Sequence, residues 1–110
     1  MELTYKSKKL QDLCEKPKLN NELVKKYGKD VAEKLPRRIK ELKSFNSVNE
    51  IPVIPPFRRH KLKGNREGEF ALSITSQYRL IFKPSNNNII IEDLREIKKI
   101  EIMEVSKHYE

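Results

Sequence analysis

The apolar residues of this chain change their spacing once, and the change divides it in two. Leu23, Tyr27, Val31, Leu35, Ile39 and Leu42 recur every three or four residues, which makes one stripe along a helix. Later, Phe70, Leu72 and Ile74, then Tyr78, Leu80 and Phe82, fall at every second residue, the period of a strand with one buried face. Between the two patterns lie Pro52, Pro55 and Pro56, which exclude a regular helix and suit an extended connector. Helices followed by strands predict an α+β fold, with the helices covering one face of a sheet.

Finer expectations follow from local chemistry. Glu2–Lys6 reads as a short strand and Lys8–Leu13 as a turn or two of helix ending near Pro17. Gly28 and Pro36 interrupt the long stripe, so Asn20–Phe45 is expected to be a helical hairpin or a bent pair. The break or kink is expected near Pro36, and Asp30 with Glu33 fits a capping box after Gly28. Ser76-Gln77 should turn the hairpin, and Asn86-Asn87-Asn88 should turn the chain again, because asparagine tolerates left-handed backbone. Ile89–Ile91 would add a third strand, and Ile100–Val105 an edge-like last one. A chain of 110 residues with 36% apolar content can build one modest core, so residues 1–110 are expected to form a single domain.

Charge narrows the function. Twenty-four Lys and Arg against sixteen Asp and Glu give a net charge of +8, a field that favours a polyanion or an acidic protein as partner. No apolar run is long enough to span a bilayer, and no stretch pairs a basic face with a wide aromatic one, so no membrane role is expected. The N-terminal residues lack a secretion signal's apolar segment, which points to the cytoplasm. One cysteine, Cys14, allows neither a disulfide framework nor a metal cluster. Glu92 and Asp93 are adjacent and would face opposite ways on a strand, so no metal and no cofactor is expected. Phosphate-binding loop, zinc-pair, EF-hand and nucleophile-elbow patterns are all missing from the sequence.

The chemistry-bearing residues gather late in the chain. Arg79 stands mid-strand among the residues expected on the open sheet face, with Ser73, Thr75, Ile81 and Lys83. Its guanidinium matches phosphate oxygens and stays charged, so it would either stabilise a pentacoordinate phosphate or pair with an acid such as Glu92 or Asp93. Lys61, Lys63 and Arg66 make a basic patch in the loop Arg58–Gly68, where Gly64 permits a tight turn. His60 and His108 are the side chains that exchange protons most readily near neutrality. RNA cleavage by the ribose 2′-hydroxyl needs a proton acceptor, a proton donor and charge neutralisation. Tyr109 could stack on an unpaired base, whereas Tyr78 has the parity of the core. Arg37, Arg38 and Lys40 sit on or beside the polar side of the long helix, where an acidic partner could meet them.

The segment HKLKGNREGEFALSI followed by QYRLIF, with the helix KLPRRIKEL and the terminal histidine segment, resembles the HigB-type toxins of the RelE/ParE superfamily, components of bacterial toxin–antitoxin pairs. The resemblance covers Asp30 to Tyr109. It implies a small twisted, mainly antiparallel sheet of four or five strands packed on two N-terminal helices. It implies a metal-independent endoribonuclease that cuts translated messenger RNA on the 70S ribosome. It also implies a helix-turn-helix, HigA-like antitoxin, with operator DNA bound through that antitoxin. His60 and Lys63 match the family's H-x-L-K-G loop and Arg79 its strand arginine, with His108 as counterpart of the terminal histidine. Lys61 stands where the family often has proline, and Ser73-Ile74 where it commonly has a first-strand arginine. A gyrase-directed relative and an inactive RNA- or partner-binding domain are the alternative functions.

Overall fold

Short-range rules start each helix. Ser7 holds the extended backbone of an N-cap, and its hydroxyl accepts from the Leu10 amide at 3.2 Å, satisfying one of the orphan donors of the first turn. Helix α1 (Lys8–Glu15) follows, then α2 (Asn20–Tyr27) and α3 (Lys29–Ser44). The computed structural model describes residues 1–16, 18, 20–85 and 92–107. No helix among them is long and apolar enough to cross a membrane.

The break in the long stripe falls at Gly28 and not near Pro36. Gly28 has φ +95° and ψ 172°, a backbone region that is essentially glycine's alone. Its amide closes α2 on the Val24 carbonyl at 2.9 Å, and its own carbonyl accepts the Ala32 amide at 3.1 Å to open α3. The N-cap of α3 is therefore a glycine without a side-chain bond, and the capping box expected of Asp30 and Glu33 does not form. Pro36 lies inside α3, where it cannot donate to the carbonyl four residues back. That carbonyl, of Ala32, accepts instead from the Asn20 side-chain amide at 3.3 Å. A side chain of α2 thus replaces the bond that proline removes, and α3 continues unbroken.

Five strands form one sheet in the order β1-β5-β4-β3-β2: β1 (Glu2–Tyr5), β2 (His60–Lys61), β3 (Phe70–Ser73), β4 (Tyr78–Pro84) and β5 (Lys99–Lys107). Only β1 with β5 is parallel. The α+β expectation holds, with three helices where two were implied. Thr75 turns the β3–β4 hairpin: its hydroxyl accepts from the amides of Gln77 and Tyr78 at 3.2 and 3.1 Å. The last strand is not at an edge. It lies between β1 and β4, and its charged alternation serves cross-strand ion pairs such as Lys83–Glu101. The expected Asn86–Asn88 turn and Ile89–Ile91 strand lie outside the described residues.

The helical stripe meets the strands' apolar face. Leu23, Val31, Leu35, Ile39 and Leu42 are buried with Phe70, Leu72, Leu80, Phe82, Ile100 and Ile102. Phe70 and Phe82, directly opposite in the register, stack at 5.4 Å. Tyr27 and Tyr78 meet edge to face at the same separation, as the core parity of Tyr78 requires. The proline-rich connector plugs the end of this core with Val48, Ile51 and Phe57.

Candidate active site

The face turned away from the helices is built in rows. Cross-strand partners point to the same side of a sheet, so Ser73, Arg79 and Ser106 form one row, and His60, Ala71, Ile81 and Glu104 the next. Lys83 and Glu101 form a third. This face is only partly open. Ile81, expected to line it in solvent, is fully buried, as is Ala71. The β2–β3 loop reaches across the same row. Its Arg66 donates to Glu69 at 3.0 Å and reaches Glu104 of β5 at 3.1 Å, two strand spacings beyond β3, or roughly 10 Å. The loop therefore leans over the sheet.

Arg79 sits beside that cover. Both of its cross-strand neighbours are serines, and among the described residues it makes no ion pair. In particular, Asp93 pairs with Arg95 at 2.9 Å instead. The Arg79 Nε is buried without a hydrogen-bond partner. With no carboxylate paired to it among the described residues, the guanidinium charge of Arg79 is available to an anion.

His60 occupies the same face on the edge strand. Its Nδ1 lies 2.9 Å from the Arg58 carbonyl. A carbonyl can only accept, so Nδ1 is the donor in this contact, and in the neutral ring Nε2 then holds the lone pair. Arg58 itself has φ +51°, the left-handed turn that brings its carbonyl under the ring. Lys63 is exposed at the start of the 3-10 turn Gly64–Arg66, and Gly64 takes the positive φ of +67° that this turn needs.

Several sequence-predicted residues are placed elsewhere. Lys61 pairs with Phe70 across the β2–β3 ladder, so it projects to the face opposite His60 and Arg79. Arg66 is engaged by two carboxylates, and Lys83 lies 3.7 Å from Glu101. Arg38, expected to meet a partner, is 6% exposed. Its Nε donates to the Ser73 carbonyl at 3.1 Å, its other arm to Glu41 at 2.8 Å, and its guanidinium stacks 5.0 Å above Phe57. It is a structural clamp. Arg37 is exposed and 3.6 Å from Glu33, and Lys40 is exposed. His108 and Tyr109 lie outside the described residues. Among those residues, no group of three His, Cys, Asp or Glu side chains could hold a metal ion.

Glu104 is the site residue that sequence reasoning missed. Strict alternation along β5 would put it on the core side with Ile100 and Ile102. A bulge intervenes: Phe82 pairs with Ile102 but Ile81 with Glu104, so Met103 is the extra residue and every side chain beyond it changes face.

Comparison with known proteins agrees with this fold. Residues 4–96 match the HigB-like toxin family, described as RelE-like toxins of the type II toxin–antitoxin system HigB. Among curated proteins, none matches the chain. Among solved structures, it resembles a YoeB/ParE toxin from Agrobacterium tumefaciens with TM-score 0.56 and 17% identity, covering 99% of this chain and 100% of that one. YafQ from E. coli strain BL21(DE3) matches with TM-score 0.56 and 16% identity over 96% and 91% of the two chains. The YoeB–YefM complex from Staphylococcus aureus matches with TM-score 0.55 and 16% identity over 99% and 98%. At such identities the likeness is one of fold. The family match reaches further: the chain belongs to the HigB-like family, and is a RelE-like endoribonuclease toxin of a type II toxin–antitoxin pair.

Proposed function

We propose that the sheet face bearing His60 and Arg79 cleaves messenger RNA while the ribosome holds it. The observation that carries this reading is Arg79, a partly buried cation flanked by serines that makes no ion pair among the described residues. His60 Nε2 takes the proton of a ribose 2′-hydroxyl, whose oxygen attacks the adjacent phosphorus. Arg79 and Lys63 neutralise the added charge on the phosphorane, the effect that fixed donors supply most strongly. The bond from phosphorus to the 5′-oxygen then breaks, leaving a 2′,3′-cyclic phosphate, and His108 returns a proton to the leaving oxygen.

His60 and Arg79 lie two strands apart, roughly 10 Å between backbones, on a shallow face. Such a face does not by itself hold the nucleophile in line with the leaving group, and that alignment is worth several kcal/mol. A ribosome presenting a bent message supplies it. The partner in this reading is a helix-turn-helix antitoxin that also binds operator DNA, with the exposed Arg37 and Lys40 facing its acidic residues.

Mapping messenger 5′ ends in a purified translation system tests the assignment. Translated messages should be cut, and the same RNA without ribosomes should be cut poorly. Arg79→Ala should slow single-turnover cleavage by about 10²–10³ while its circular dichroism stays unchanged. Equal cutting of naked RNA would refute ribosome dependence, and an unchanged rate in folded R79A would remove Arg79 from the chemistry.

A further inference from the structure

The loop that carries Lys63 is tied to a strand it does not neighbour. Within the loop, the Leu62 amide donates to the Glu69 carbonyl at 2.9 Å, Glu67 to Gly64 at 3.1 Å and Glu69 to Arg66 at 3.0 Å. These bonds make the segment a compact unit. The first of them continues the β2–β3 ladder into the base of the loop. Across the sheet face, Arg66 bridges from the loop to Glu104 on β5 at 3.1 Å, with its second arm on Glu69 at 3.0 Å. Beneath the bridge, Ala71 and Ile81 are fully buried although they face away from the helices. The Arg66 Nε is itself buried while the side chain as a whole is 38% exposed, so the guanidinium lies along the surface of the cover with its inner edge against the sheet.

We infer that Glu104 is a positioning residue for cleavage, acting through Arg66 to hold the Lys63 loop down over the sheet beside Arg79. Glu104 lies one row from Arg79, opposite Ile81 where Arg79 is opposite Ser106. It therefore ties the loop's cations to the strand that flanks Arg79. Arg66 then serves the site by geometry, with its charge spent on Glu69 and Glu104, and Lys63 is the loop cation left to meet phosphate. This inference rests on the ribonuclease reading of the same face.

Two measurements on the full-length toxin separate the possibilities. Hydrogen exchange at the amides of Leu62, Glu67 and Glu69 reads the loop without any substrate, and single-turnover cleavage on ribosomes reads the chemistry. Glu104→Gln should speed exchange at those amides. It should also lower the maximal cleavage rate by about 10–100-fold, the loss expected for an ångström-scale misplacement, with a smaller change in the half-saturating ribosome concentration. The exchanged pair Arg66→Glu with Glu104→Arg should restore a substantial part of both. If Arg66 instead contacts RNA, E104Q should cleave as fast as wild type or faster, and the exchanged pair should stay inactive; either result overturns the inference. Unchanged loop exchange in E104Q with an active wild type overturns the tie alone. A wild-type protein that leaves ribosome-bound messages intact overturns the ribonuclease reading, and the positioning role with it.

Discussion

Two arginines of this chain, Arg38 and Arg79, illustrate how neighbours decide what a guanidinium does. Arg38 has a carbonyl, a carboxylate and an aromatic ring around it, so it is engaged inside the protein on three sides. Arg79 has two serines across the strands and a buried Nε with no acceptor. Arg38→Ala should destabilise the fold by about 2–3 kcal/mol, the loss of a charged hydrogen bond to a part-buried carbonyl, read as a lower urea midpoint. Lysine should recover little of it, because an ammonium cannot reproduce the fork and the stack together. In the sequence the two residues look equally basic and equally amphipathic. Nothing in helix periodicity tells that Phe57, from the connector, will rise beneath Arg38.

At the scale of elements, α3 tolerates Pro36 because Asn20 reaches its orphaned carbonyl. The two residues should therefore be coupled. Asn20→Ala is expected to cost about 1 kcal/mol in wild type and clearly less in a Pro36→Ala background, where the helix amide itself can donate to Ala32. A double-mutant cycle by chemical denaturation measures the difference, and equal costs in both backgrounds would show no such compensation. The helical stripe, the hairpin and its turn were legible in the sequence, because each follows from side-chain period over a few residues. The position of the helix break was not, since a glycine and a proline both interrupt a pattern and only tertiary contact decides which one ends it. The arrangement of the candidate site was less legible. His60 was read as part of a loop, and it is the register of a two-residue strand that puts it on the face of Arg79 and Lys61 on the other. Glu104 was hidden by the bulge at Met103, which inverts parity without leaving a residue-type signal.

For the molecule as a whole, one carboxylate links three elements. Glu15, at the end of α1, accepts from the Tyr5 hydroxyl of β1 at 2.7 Å and from the Lys43 ammonium of α3 at 2.6 Å. Partial burial works against its charge, but Lys43 and Tyr5 outweigh it and hold the carboxyl below the usual glutamate range. A carboxyl depressed in the folded state contributes stability that is complete above its unfolded pKa, about 4.3. The contribution is lost as pH falls through the lower folded value. Glu15→Gln should therefore flatten the stability profile in that acid window and cost under about 1 kcal/mol at neutral pH, since the pair is partly exposed. Parallel urea titrations at pH 7 and at pH 3 to 5 would show it; an unchanged acid limb would mean the three elements are held by packing alone.

The place of β5 in the sheet has a consequence for the cell that makes this toxin. Among the described strands, β5 follows all the others in the chain yet joins β1 to the hairpin, so during translation the helices and hairpin emerge with the middle of their sheet missing. Domains fold as units when their pieces are all present, and Arg79 gains its second serine neighbour, and Arg66 its Glu104, only when β5 arrives. A chain that stops short of β5 therefore lacks both contacts. Nascent chains arrested before Lys99 should be cleaved readily by a dilute protease, and chains extended far enough to expose Lys107 should resist; protection of the shorter chains would show that the sheet closes without its centre.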